Sequence, residues 1–244
     1  MMQILRVISR LLDYPTADVA AHQAEIQQMI AESPLKPALR ETLAQFVTRR
    51  AALPLLDWQA EYDGMFERGR SLGLWLFEHV HGESRDRGQA MVDLVALYRK
   101  AGLELSQHEL PDYIPLFLEF LATQGDDNAR GWLDDMSHIL ALLQVRLEKR
   151  ESDYAVLFSA LLSLANADLD MRDLREQVAG EKRDDTREAL DKAWEEEEVK
   201  FGAETESSCE SGVRRPSESQ RRDLDVPLNW VGFDAVPADQ AVRS

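Results

Sequence analysis

Apolar residues recur every three to four positions along most of this chain, and prolines and glycines cut that rhythm into short lengths. Ile4, Leu5, Ile8, Leu11 and Leu12 share one helical face. Tyr14 and Pro15 close that segment, and Thr16 is placed to cap the next. The pattern predicts helices over residues 16–32, 35–52, 55–67, 71–80, 84–101, 112–124, 128–149, 152–167, 171–180 and 184–201. Pro34, Pro54, Gly82, Gly102 and Pro111 punctuate them at ordinary connection lengths. No convincing strand alternation and no Asn-Gly hairpin signal occurs. Good helix formers (Leu, Ala, Glu, Arg, Gln) dominate instead. The expectation is an all-α fold, a compact multi-helix bundle of many short helices with a disordered C-terminal tail.

That tail is expected from composition. With 244 residues and 44% hydrophobic content the chain can bury one sizeable core or two small ones. The helical pattern carries a domain over residues 1–201. Residues 202–220 are rich in Ser, Glu, Gly and Arg, with too little to bury to offset the entropy of ordering. Residues 202–244 are therefore read as an acidic, Ser-rich and mostly disordered tail. Within it, the apolar island at 226–233 is either a docking element or a remnant without a role.

Charge narrows the partners. A net charge of -17 argues against nucleic acid, which needs a basic footprint, and favours cationic partners without naming one. The single Cys209 excludes an intramolecular disulfide framework and fits a reducing compartment. The first ten residues lack the apolar core of a signal peptide, and no apolar run is long enough to cross a bilayer. A cytoplasmic protein without direct membrane insertion is expected.

Residues 66–88 stand out, because they combine dense charge, two histidines and several glycines in an otherwise helical region. They read as a helix, a break at Gly82, and a second helix with Ser84 as cap and Asp86 in its first turn. His79 and His81, with Glu78 and Glu83, invite a metal site. Helical metal motifs place histidines four apart, however, whereas these are two apart across a helix end. Polar surface or capping explains them without a ligand. Gly69, Gly73 and Gly82 follow no strand, so they do not make a phosphate loop. Asp112, after Pro111 and before Pro115, has the place of a helix N-cap. Residues 72–77 are apolar almost all round, and 116–121 are broken only by Glu119. Each helix is either central core or the wall of a groove for an amphipathic peptide. The acidic run 195–198 reads as a solvated face.

Residues 69–94 closely resemble the chaperones that assemble respiratory nitrate reductase, the delta chain family. Residues 109–121 resemble the Pro-Asp-His signature of the wider molybdoenzyme-maturation chaperones, and 183–201 resemble the nitrate reductase branch again. The resemblance covers about residues 1–201. It implies an all-helical protein that is not an enzyme and holds no cofactor or metal of its own. Such a chaperone binds the N-terminal segment of the nitrate reductase catalytic (alpha) subunit and keeps the apo alpha–beta complex soluble. It also assists molybdenum cofactor and iron–sulfur insertion and delays membrane anchoring. Cofactor-biosynthesis proteins are further implied partners. Carried over as client-binding are Arg70, Glu78, His79, His81, Glu83, Arg85, Asp86 and Arg87 from the first block. Glu109, Pro111, Asp112 and Tyr113 come from the second, with Leu72, Leu76, Phe77, Leu116 and Phe120 as apolar groove residues. Tyr113 stands where the wider family commonly has His, which removes a group titrating near neutral pH. The alternative reading is a chaperone for the twin-arginine signal peptide of another exported molybdoenzyme, and the 81–88 block speaks against it. A third reading is a metal-dependent enzyme built on the histidine block.

Overall fold

The apolar rhythm becomes a succession of helices in the computed structural model, which describes residues 1–81, 86–105, 109–165, 167, 169–192 and 194. In order these are α1 (Met2–Leu12), α2 (Asp18–Ala21), α3 (Gln23–Ala31), α4 (Pro37–Ala52) and α5 (Leu55–Tyr62). A π-helical turn, Asp63–Glu67, extends α5. Then come α6 (Leu76–His81), α7 (Asp86–Lys100), α8 (Ile114–Leu121), α9 (Asp126–Asp135), α10 (Ser137–Lys149), α11 (Ala155–Ala165) and α12 (Met171–Ala179). Residues 187–192 are helical as well, with the Thr186 hydroxyl accepting from the Ala189 N–H at 3.2 Å as a cap. The fold is all-α. The tail read from composition lies outside the described residues, as do Gly82, Ser84 and Cys209.

Helix α1 runs through the core. Its predicted face, Ile4, Leu5, Ile8, Leu11 and Leu12, is buried to within 1% of full exclusion. Removing each such side chain from water stabilises by roughly 1.5–3 kcal/mol. Ser9 shares that buried face and donates its hydroxyl to the Pro115 carbonyl at 2.7 Å, fastening α1 to the head of α8. Helices α10 and α11 pack on each other and on α12 and α9.

Local chemistry explains where helices stop. The predicted 16–32 helix is two helices, because at His22 both the backbone N–H and the ring Nδ1 turn to the Asp18 carbonyl and φ opens to -111°. The predicted 128–149 helix divides at Met136 into α9 and α10. Gly102, at φ +78°, ends α7: its N–H bonds the Arg99 carbonyl and the Leu103 N–H bonds the Tyr98 carbonyl, a Schellman motif. Glu151 occupies the same left-handed position after α10 at φ +56°, with the equivalent bonds from Glu151 to Glu148 and from Ser152 to Leu147.

One buried polar group sits against the aromatic part of this same core. Arg50 is 7% exposed, pairs with Glu61 and Asp153, and lies over the rings of Phe46 and Tyr154 at 5.3 and 4.7 Å. Tyr154 meets Phe66 edge-on at 5.0 Å and accepts the Trp58 indole N–H at 2.6 Å. Burial pushes its phenol up to about 12, against the Trp58 bond and the Arg50 charge.

Candidate functional site

Residues 69–78 are where the three singled-out sequence blocks meet. The predicted 71–80 helix begins only at Leu76, because the backbone before it finds partners elsewhere. The Leu76 N–H donates to the Asp112 carbonyl at 2.9 Å, and the Ile114 N–H donates to the Leu74 carbonyl at 2.8 Å. These two bonds make an antiparallel bridge between Trp75 and Tyr113, whose rings lie 6.0 Å apart. Leu72 thus lies in a turn, closed by the Gly73 N–H on the Arg70 carbonyl, and Leu74 in the bend before the bridge, instead of in an apolar helix.

Asp112 is fully buried, and its role differs from the one its sequence position suggests. Helix α8 carries no side-chain cap bond at its N-terminus. The Asp112 carboxylate turns back instead, and its Oδ2 accepts the Phe77 N–H of α6 at 3.1 Å. It caps a helix from a different block. Arg87 of α7 reaches the same oxygen at 3.8 Å and Glu78 Oε1 at 3.3 Å. Asp112 Oδ1 has no hydrogen-bond partner among the described residues. Burial raises the Asp112 carboxyl above its ordinary range, opposed by the Phe77 N–H and the Arg87 charge.

Neighbouring groups fix the second block. Tyr98 of α7 donates its hydroxyl to the Pro111 carbonyl at 2.6 Å. Tyr113 donates to Asp13 Oδ1 at 3.2 Å and lies 3.1 Å from the Tyr62 hydroxyl. Burial raises the Tyr62, Tyr98 and Tyr113 phenols well above their ordinary range, so all three stay neutral. His79 donates from Nε2 to the Gly73 carbonyl at 2.8 Å. Its burial holds the imidazole below its ordinary range, which the Gly73 bond partly offsets.

The third block closes the other side. The Ser71 N–H and hydroxyl both donate to Asp184, at 2.7 and 2.6 Å, and Arg150 Nη2 reaches the same carboxylate at 3.0 Å. Burial opposes ionisation there, yet the Ser71 bonds and the Arg150 charge hold the Asp184 carboxyl below its ordinary range. Arg146 grips Glu181 with two bonds of 2.8 Å and donates to the Ser71 carbonyl at 2.9 Å. Gly69 is needed for this approach, because a Cβ there would sit 2.8 Å from the Asp184 carboxylate.

The sequence-derived candidates therefore divide by depth. Leu72, Leu76, Phe120, Pro111 and Asp112 are buried and form the body of the joint. Phe77, Glu78, His79, Arg87, Tyr113 and Leu116 are half-buried, while Arg70, Asp86 and Glu109 are exposed; of their neighbours outside that set, Trp75 is half-buried and Val80 and Leu110 are exposed. The His81 imidazole, Glu83 and Arg85 lie outside the described residues. Among the described residues no group of three or more His, Cys, Asp or Glu side chains is placed to hold a metal. Sequence reasoning gave no role to Arg146, Arg150 and Asp184. Arg146 is in the last turn of α10 and Arg150 follows its last residue, four positions on, a spacing that in a helical pattern puts both on one face. What the joint offers chemically is recognition: aromatic and aliphatic edges at the surface, bordered by Glu78, Asp86 and Glu109.

The family model described as the nitrate reductase delta subunit matches residues 32–160. The nitrate reductase molybdenum cofactor assembly chaperone NarJ of Escherichia coli (strain K12) is 51% identical over 201 residues, 82% of this chain and 85% of that protein. The chain belongs to the nitrate reductase delta subunit family of assembly chaperones. The probable assembly chaperone NarW of the same strain shares 48% identity with this delta-family chain over 237 residues, 96% of it and 98% of NarW. A probable NarJ chaperone of Bacillus subtilis (strain 168) is 31% identical over 173 residues, covering 71% and 91% respectively. Among the described residues of this family member, no helix is long and apolar enough to cross a membrane.

Proposed function

We propose that this protein is a dedicated assembly chaperone for respiratory nitrate reductase. It binds the N-terminal segment of the catalytic alpha subunit and keeps the apo alpha–beta complex soluble in the cytoplasm. It assists molybdenum cofactor and iron–sulfur insertion and delays membrane anchoring until loading is complete. It catalyses no reaction and carries no cofactor of its own. The observation that carries this reading is the convergence of all three family-resembling blocks on one joint, in a chain 51% identical to a nitrate reductase assembly chaperone.

The chemistry of the joint suits such a client. Trp75, Phe77, Leu116 and Tyr113 are half-buried and Leu110 is exposed, so a short amphipathic segment has apolar edges to cover. Carboxylates at Glu78, Asp86 and Glu109 suit basic residues on that segment. The order imposed on a flexible client lowers the net affinity, which keeps binding reversible. Release follows when cofactor insertion folds the client and withdraws the segment.

Calorimetric titration of the full chain with a synthetic peptide from the alpha-subunit N-terminus tests this. Saturable 1:1 binding is expected, with a twin-arginine signal peptide from another molybdoenzyme binding much more weakly. Phe77→Ala should weaken binding about tenfold, equivalent to about 1.4 kcal/mol. Preference for the twin-arginine peptide moves the client to an exported enzyme. Binding of neither overturns the reading.

A further inference from the structure

We propose that the cavity between α10 and the 178–183 segment is a binding site for a phosphate group. Its volume is about 80 Å³, and Ser71, Arg146, Lys149, Arg150, Lys182 and Arg183 line it. One water needs only about 10–15 Å³ of such space, so the cavity is large enough for one tetrahedral oxyanion.

The charge here runs against that of the chain. Five cations converge in a protein of net charge -17. Three carboxylates answer some of them: Glu181 pairs with Arg146, Asp184 with Arg150, and Asp185 with both Arg150 and Arg183. Two cations have no carboxylate. Lys149 Nζ donates to the carbonyls of Val178, Ala179 and Glu181 at 2.6, 3.1 and 2.7 Å. These lie at and just beyond the C-terminus of α12, whose dipole amounts to roughly half a charge, so it cancels only part of the ammonium. Lys182 is exposed and makes no hydrogen bond or ion pair among the described residues.

The donor types match the ligand. Guanidinium forks and an ammonium beside a hydroxyl are the groups that hold phosphate, the forks by geometry and the ammonium as a point charge. A phosphate group carries more charge than a carboxylate and offers three acceptor oxygens. It can therefore take hydrogen bonds from Lys182 and from Arg183 Nη1, since Asp185 holds only Nε and Nη2 of that guanidinium, while Lys149, its three N–H bonds committed to carbonyls, contributes its charge. A single carboxylate, with two oxygens, cannot span them.

Titration of the full chain with inorganic phosphate, pyrophosphate and a nucleoside diphosphate, followed by calorimetry and amide NMR, tests the site. Acetate at equal ionic strength is the control. Saturable phosphate binding is expected, with amide shifts centred on residues 71, 149 and 182. It should weaken at least tenfold in Lys182→Gln/Arg183→Gln, whose melting temperature and affinity for the alpha-subunit peptide stay unchanged. A nucleoside diphosphate binding at least tenfold tighter than pyrophosphate identifies a carried phosphate; equal or weaker binding identifies the free ion. Absence of saturable binding, acetate binding as tightly as phosphate, or unchanged affinity in the double variant overturns the proposal. Because the peptide is measured on the same proteins, this site and the client reading fail separately.

Discussion

Asp112 joins two segments that are far apart in sequence through one oxygen. Its Oδ2 caps Phe77 while Oδ1 stays buried without a partner among the described residues, so the ionised carboxylate is held at a cost. Asp112→Ala removes the cap and should destabilise by about 1–2 kcal/mol in urea unfolding. Asp112→Asn keeps an acceptor for Phe77 and removes the buried charge, so it should cost less than the alanine. The raised carboxyl adds a pH signature. Its contribution is full below the ordinary carboxyl range near pH 4 and is lost as pH rises through the higher folded value. Asp112→Asn should therefore gain on wild type as pH rises from 4 to 7. His79 behaves in the opposite sense. Its imidazole is held low by burial, so its contribution is present above about pH 6.5 and is lost as pH falls through the lower folded value. Unfolding midpoints measured from pH 8 to 5 should fall in wild type and fall less in His79→Gln.

Elements, not single residues, make the joint, and this is where sequence and structure diverge. The face of α1, the helical class and most boundaries follow from spacing and punctuation, because the 3.6-residue period and the prolines are local signals. The 71–75 segment was not legible that way. Its apolar residues fit a helix, but Ser71 is bound to Asp184 and Trp75 is bridged to Tyr113, partners 113 and 38 positions away that no window of sequence contains. The place of Asp112 before Pro115 predicts a cap for α8, but α8 has no side-chain cap and the carboxylate accepts the Phe77 N–H of α6, 35 positions away. Substitutions at Gly69, Asp184 and Glu151 test these element junctions. Gly69→Ala forces a methyl group to 2.8 Å from Asp184 and should destabilise by about 1–3 kcal/mol, measured by thermal unfolding. In the Gly69→Ala/Asp184→Ala double variant the cost should be smaller than the sum of the singles, because both act on one contact. Glu151→Gly relieves a left-handed backbone after α10 and should stabilise by about 1 kcal/mol.

At the scale of the whole molecule, one continuous core holds the joint, running from α1 and α8 to the aromatic rings around Arg50. Packing around α1 and α8 fixes the second block, while Arg146 on α10 and Arg150 just after it reach the first and third. The buried Arg50 cluster braces α4, α5 and the start of α11 away from that joint. Arg146 and Arg150 bond to Ser71, Glu181 and Asp184, partners distant in sequence, so no local pattern marks them. On the proposed function, the first and second blocks form one client-binding surface. Amide hydrogen exchange on the full chain, with and without the alpha-subunit N-terminal peptide, tests this. Added protection concentrated in residues 72–81 and 109–121 is expected. Protection confined to other elements, such as α4 and the 150–154 turn beside Arg50, would contradict it.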